Sequence, residues 1–396
     1  MKEEHRTILI QIGLFLTTCI TTTLAGAELC FGKSIYTYST DGSVAFNSSF
    51  TWNDFMLGAQ FSIPFLLILT VHEFGHYFTA MYHKVKASLP YYIPFPTFPY
   101  MPSLIGTMGA VIRIRSKVTS NLQHFDIGLA GPLAGFIVAL FTLWYGFSTL
   151  PSYDYVFQFH PEYAQYGEHY ADTVYTDAYI KSAGGAVEIL IGDNLVFEFF
   201  SRYVADPERV PNPHEMMHYP ILMAGFIALF FTCLNLLPIG QLDGGHIIYG
   251  LFGRKGHRVI ATVFFILLIF YSGLGAVNIH ADRDDVYWLI PLTLLFNYFC
   301  LKGIGWAKRD TLMYAFVIFA IQFLITAVFP TVDGYRGWVV FALLIGRFIG
   351  VHHPPSEIEQ PLDTTRIILG WLSLFIFVIC FSPKPIVINI IGGVVE

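Results

Sequence analysis

Charge is what this chain is shortest of: Asp, Glu, Lys and Arg make up 13% of its 396 residues, roughly half the quarter that a water-facing surface demands. The shortfall excludes an ordinary soluble domain, and the 55% of hydrophobic residues fits a chain that faces lipid. A basic excess is missing too. With a formal net charge of -6 the chain has no cationic surplus for a phosphate backbone, so nucleic acid is not expected as a partner. A disulfide framework is also lacking. The five cysteines are an odd number, and Cys19, Cys233, Cys300 and Cys380 fall in apolar runs where a buried thiol is the ordinary expectation. There is no internal repeat and no low-complexity tail.

In their place stands one apolar run after another. A helix that crosses the hydrocarbon layer needs about 20 mainly apolar residues, because in lipid its backbone must satisfy its own hydrogen bonds. Nine stretches qualify to varying degrees: Ile8 to Gly26, Phe55 to Tyr82, Phe125 to Phe147, Tyr219 to Leu237, Val259 to Val277, Val286 to Leu301, Thr311 to Phe329, Trp338 to Gly350 and Ile367 to Phe381. The stretch from Trp338 to Gly350 is short for a full crossing. Threading the nine with the N-terminus inside puts fifteen Lys and Arg residues on the inner side and seven on the outer. That asymmetry is the positive-inside pattern, and it predicts a multi-pass membrane protein with a cytoplasmic N-terminus; the membrane expected is a bacterial inner membrane. The first span also resembles a signal peptide, with Lys2 and Arg6 before it and Ala25-Gly26-Ala27 at its end. Its apolar stretch is longer than an ordinary signal core, so a retained helix is expected.

Two segments are not spans. Leu89 to Pro102 interleaves Pro90, Pro94, Pro96, Pro99 and Pro102 with Tyr and Phe, which forbids helix and favours extended chain shielded by protein or held at the interface. It leads into Gly106-Thr107-Met108-Gly109 and then β-branched residues alternating with Arg113 and Arg115, a pattern that predicts a short hairpin or edge strand. Leu150 to Met217, rich in Tyr, Asp and Glu, lies outside the membrane in this threading and is expected to fold over the membrane part as a cap. The expected architecture is thus an all-α polytopic membrane protein of about nine transmembrane helices with a small membrane-associated β-hairpin. It divides into 1–54 (first helix and outer loop), 55–257 (core, with the hairpin at about 89–118 and the cap at about 150–218) and 258–396 (C-terminal helices).

The sharpest motif is His72-Glu73-Phe74-Gly75-His76, near the end of the second span. On a helix, positions i and i+4 share a face, so two imidazoles can reach one Zn2+ ion while the glutamate lies beside the attacking water as general base. Three ionisable groups in a span are costly unless they face a polar cavity or a metal. A catalytic zinc needs a third protein ligand, and the candidate is Asp243 in Asn235-Leu236-Leu237-Pro238-Ile239-Gly240-Gln241-Leu242-Asp243-Gly244. In the threading both motifs lie near the cytoplasmic ends of spans that run in the same direction, so they can share one depth. The competing reading makes Asp243 a helix cap.

These motifs resemble the site-2 protease family of intramembrane zinc metalloproteases: His72 to His76, the Gly106-x-x-Gly109 strand entry, Ala130-Gly131-Pro132-Leu133-Ala134-Gly135, and Asn235 through Leu242-Asp243-Gly244. The likeness covers roughly residues 55 to 255. The resemblance implies zinc held by His72, His76 and Asp243, with Glu73 activating water. It also implies a Gly106–Gly109 hairpin that presents a strand edge to the substrate, and Asn235 positioning the substrate backbone. The partners it implies are transmembrane segments of other proteins, cut within the lipid bilayer. The outer loop is too short for the PDZ domains some relatives carry. Gly131 and Gly135 have close helix packing as their first task. His246 is either a helper of the metal turn or a cap, and a second metal site at His352-His353 is not expected. Two rival functions remain: a transporter, which the absence of an inverted repeat disfavours, and a metal-free scaffold, which the intact motif residues disfavour.

Overall fold

Small and hydroxylated residues decide how the first helices meet. The computed structural model describes residues 2–39, 42–99, 103, 105–182, 186–280 and 283–391, so Tyr100 and Pro102 of the proline-rich segment lie outside the described residues. The chain forms two compact units, one from Met1–Lys117, Ala130–Cys233 and Val378–Glu396, the other from Val118–Leu129 and Leu234–Phe377.

In the first unit, α1 (Lys2–Phe31) packs along α2 (Trp52–Tyr82), with the short antiparallel pair β1 (Tyr36–Tyr38) and β2 (Val44–Phe46) between them in sequence. A capping box between Thr51 and Asp54 starts α2. Thr23 Oγ1 donates to Ser62 Oγ at 2.9 Å. A Cβ on Gly58 would lie 1.9 Å from the Thr23 carbonyl oxygen. Lipid offers helices no hydrophobic drive to associate, so close backbone approach and interhelical hydrogen bonds take over that task.

The proline-rich segment gives the expected hairpin, β3 (Tyr91–Pro94) antiparallel to β4 (Thr107–Val111), with a register shift between Tyr92 and Pro94. It is docked on both helices. Gln11 Nε2 donates to the Leu89 carbonyl at 2.6 Å, Thr21 Oγ1 to the Gly106 carbonyl at 2.6 Å, and Thr70 Oγ1 and Tyr92 OH share a bond of 2.7 Å. The first two satisfy carbonyls of non-helical backbone, and the third pins a hairpin side chain to α2.

After α3 (Asn121–Ser148) comes the cap, built from 3-10 turns, α4 (Ala171–Val174), α5 (Asp177–Ser182), β5 (Ala186–Ile191) and α6 (Leu195–Tyr203) around a core of Val156, Tyr170 and Val174. Then follows α7 (Pro220–Asn235). No strand is expected here from the residue pattern, yet β5 pairs in full register with β6 (Ile386–Ile391), near the C-terminal end of the chain.

The second unit holds α8 (Asp243–Gly273), α9 (Arg283–Leu301), α10 (Lys308–Val328), α11 (Trp338–Leu344), which runs on into a π turn at Ile345–Ile349, and α12 (Thr364–Cys380). Gln322 Nε2 donates to the Phe270 carbonyl at 2.8 Å and Asn297 Nδ2 to Gln322 Oε1 at 3.3 Å, which ties α8, α9 and α10 through buried amides. Arg366 holds Asp126 by two parallel bonds of 2.7 Å, joining α12 to the start of α3.

Among the described residues six helices are long and apolar enough to cross a membrane: those of α1, α2, α3, α8, α9 and α10. The other three expected spans are apolar helices too short by that measure, Pro220–Asn235, Trp338–Ile349 and Thr364–Cys380. Local breakers account for the difference. Pro238 follows the end of α7, the π turn runs out at Gly350 with a φ of 84°, and Pro361 and Pro383 flank α12. Ile63 and Leu67 on α2, Phe141 and Trp144 on α3 and Leu324 on α10 are all more than half exposed, as side chains facing lipid would be. Together these describe a multi-pass membrane protein.

Gly58→Ala is expected to destabilise the first unit by about 1–3 kcal/mol, the usual cost of overpacking, whereas Gly13→Ala, whose Cβ meets nothing within 4 Å, is expected to leave it unchanged. Thermal unfolding in detergent checks both.

Candidate active site

The second helix buries one face and leaves the other to lipid. Phe61, Phe65, Leu69, His72, His76 and Ala80 recur at helical spacing and are all buried, while Ile63, Leu67 and Phe78 are exposed. The histidines therefore continue an apolar stripe inward. His72, Glu73 and His76 are 5%, 5% and 8% exposed, and the two imidazole Nε2 atoms lie 3.0 Å apart with the rings crossed at 77°. Ionisable side chains at such depth need one another or a cation. Two buried nitrogen donors beside a carboxylate form a set that fits zinc. Tyr82 ends the helix six residues beyond His76, so the pair sits about 9 Å before that end.

The floor under the imidazoles is α3. A Cβ on Gly131 would lie 2.2 Å from His76 Nε2, one on Gly135 would lie 3.1 Å from His72 Cβ, and one on Gly75 would lie 2.7 Å from the Ala130 carbonyl oxygen. The role of these glycines is close packing, as expected, but what they admit is the histidine pair itself as well as a neighbouring backbone.

The hairpin glycines have separate reasons. Gly106 has a φ of 75° and a Cβ there would lie 2.3 Å from the Thr21 carbonyl oxygen, so this position is needed to dock the hairpin on α1. Gly109, with a φ of 101°, sits at the register shift, and a Cβ there would meet only Phe231 Cε1, at 3.9 Å. Among the described residues β4 pairs with β3 alone, and its Met108 and Val111 side chains are 61% and 51% exposed.

Asn235 and Asp243 belong to the second unit, Asn235 as the last residue of α7 and Asp243 as the first of α8. The chain between them doubles back tightly. The Gly240 N–H donates to the Val351 carbonyl at 2.9 Å, a Cβ on Gly244 would lie 2.0 Å from the Leu236 carbonyl oxygen, and one on Gly245 would lie 2.3 Å from that of Gly240. The glycines after Asp243 are thus required by the turn.

One arrangement in this unit was not foreseen. His246 Nδ1 lies 2.8 Å from His353 Nε2, and the His124 ring stacks on His246 at 5.1 Å. His352 turns elsewhere, to Thr262 Oγ1 at 3.0 Å. His246 and His353 are 107 positions apart, so no local spacing announces their meeting.

Gly131→Val is expected to displace the His76 ring, lowering zinc affinity at least tenfold while leaving the helical circular dichroism intact. Equilibrium zinc titration measures it.

Residues 60–272 match the family described as peptidase family M50. The chain is 28% identical over 206 residues to a protein of Arabidopsis thaliana named probable zinc metalloprotease EGY1, chloroplastic, which covers 51% of this chain and 31% of that protein. It is 28% identical over 281 residues to a protein of the same name from Oryza sativa subsp. japonica, with 67% and 40% covered. It is 26% identical over 250 residues to the Arabidopsis thaliana probable zinc metalloprotease EGY2, chloroplastic, with 58% and 39% covered. The chain spans less than half the length of these relatives. No solved structure matches it. The matched region takes in His72 to His76, the α3 glycines and the Asn235–Asp243 turn, and it is more than half of the chain, which therefore belongs to peptidase family M50, the site-2 protease family.

Proposed function

We propose that this protein is an intramembrane zinc metalloprotease that hydrolyses peptide bonds of membrane-protein substrates within or beside their transmembrane segments. The observation that carries the reading is the burial of His72, Glu73 and His76 on the inward face of an apolar helix, with the imidazole Nε2 atoms 3.0 Å apart. The names of the plant relatives, probable zinc metalloproteases, support it.

His72 and His76 would hold the ion, with Asp243 as third ligand. The sharp turn before Asp243 and its place at a helix N-terminus favour that assignment. When bound, zinc supplies Lewis acidity, which lowers the pKa of water towards 7 and polarises a carbonyl. Glu73, adjacent to the first histidine and shielded from solvent, takes the proton from the attacking water on its carboxylate and passes it to the leaving amine.

A peptide bond in a transmembrane helix is guarded by its own i to i−4 hydrogen bonds, so a substrate must unwind before it can be cut. The edge of β4 beside Gly109 is suited to receive the unwound strand, replacing lost bonds with inter-chain ones. Gly106 sets the hairpin on α1, and Asn235 is assigned to orient the substrate backbone.

The proposal extends to topology. Nine spans with the N-terminus inside is the arrangement that segregates fifteen basic residues from seven, and the membrane proposed is a bacterial inner membrane. The three short apolar helices then cross where the bilayer thins or where neighbouring helices shield their ends.

In proteoliposomes carrying a helical reporter, Glu73→Gln is expected to keep its zinc and lose cleavage by about 10²–10⁴-fold, while His72→Ala and Asp243→Ala lose both. Cleavage by Glu73→Gln at the wild-type rate would refute the assignment.

A further inference from the structure

We infer that His160, Glu215 and His218 form a second metal-binding site, in the cap, for zinc or a similar first-row divalent cation. The three lie together in the first unit, with their ligand atoms all within 4.8 Å of one another. Glu215 and His218 are three residues apart in the 3-10 turn Pro213–His218, where i and i+3 eclipse and so share a side. His160 immediately precedes the 3-10 turn that starts at Pro161.

Glu215 is the unusual member. It is 2% exposed, far outside the normal range for a glutamate. Tyr175 OH donates to its Oε1, but its buried Oε2 has no hydrogen-bond partner. Facing that oxygen are His160 Nε2 and His218 Nε2, each at 3.6 Å, too far for a hydrogen bond. A desolvated carboxylate oxygen left in this way is costly.

The outer nitrogen of His218 explains what its inner one offers. His218 Nδ1 lies 2.9 Å from the Cys30 carbonyl oxygen, which only accepts, so Nδ1 carries the hydrogen and the neutral ring presents a lone pair at Nε2. His160 Nδ1 lies 3.5 Å from Glu162 Oε1, an ion-pair distance to a half-exposed carboxylate on the far side of the ring. Three ligand atoms then surround one point, and a cation there satisfies all of them. Ligands held 2.0–2.1 Å from a tetrahedral zinc are about 3.4 Å apart, close to the observed 3.6 Å. Two imidazoles and one carboxylate suit zinc better than Ca2+ or Mg2+, which take oxygen ligands. Bound there, the ion would fasten the His160 turn to the turn that leads into α7, beside the end of α1.

The test is zinc per chain in the full-length protein in detergent, equilibrated with zinc and freed of loose metal, measured by mass spectrometry of the element. Wild type is expected to hold about two ions. Glu215→Gln and His160→Gln, the latter replacing a partly exposed ring, are each expected to lose one, and His72→Ala combined with Glu215→Gln to hold none. In the His72→Ala background, added zinc is expected to raise the melting temperature, and with Glu215→Gln also present this effect is expected to vanish. Folded Glu215→Gln and His160→Gln proteins that both retain the full wild-type content would overturn the inference. Should His72→Ala instead keep the wild-type content, the catalytic assignment fails and the cap site stands.

Discussion

Everything in this molecule turns on the cost of placing two imidazoles and a carboxylate on an apolar helix. A group that ionises in or near lipid must face water, an opposite charge or a metal. On α2 the side of the helix is decided by spacing: His72 and His76 extend the stripe of Phe61, Phe65 and Leu69, and so point inward with it. The surrounding residues make that position habitable. Gly131 and Gly135 leave the volume the rings occupy, since a methyl group on Gly131 would fall on His76 itself. A motif normally credited to helix packing thus acts as the mould of the imidazole pair.

The same principle governs the hairpin. Proline and glycine strip this segment of helical hydrogen bonds, and Gln11 and Thr21 of α1 satisfy two of its carbonyls while Thr70 of α2 holds the Tyr92 side chain. The strand held in this way has one edge not paired to another strand among the described residues.

What could be read from sequence follows the range over which each signal acts. His72-Glu73-x-x-His76 is legible because its geometry is set within one turn and a half of helix. The hairpin is legible because proline and β-branched residues act locally, although the extra residue at the register shift is not. Family likeness carried the rest of the site residues, where spacing alone left Asp243 open between ligand and cap. Of the nine expected spans, six are helices long and apolar enough to cross, and three are shorter apolar helices, because breakers such as Pro238 set helix length locally while hydropathy reports only the apolar run. The pairing of β5 with β6, the meeting of His246 with His353 and the convergence of His160 on Glu215 join residues separated by dozens to hundreds of positions, and single-sequence patterns hold no record of such distances. In the cap, the alternation of Tyr with Glu and His is legible only as a polar surface, and it took the fold to turn Glu215 inward.

The most direct test of the central claim is anomalous X-ray scattering at the zinc edge from crystals of the full chain. The account predicts a peak about 2.0–2.1 Å from Nε2 of His72 and of His76, with an Asp243 carboxylate oxygen as the third protein ligand. No peak at the imidazole pair, or a peak there with Asp243 turned away and no other acidic or imidazole group in its place, would contradict it.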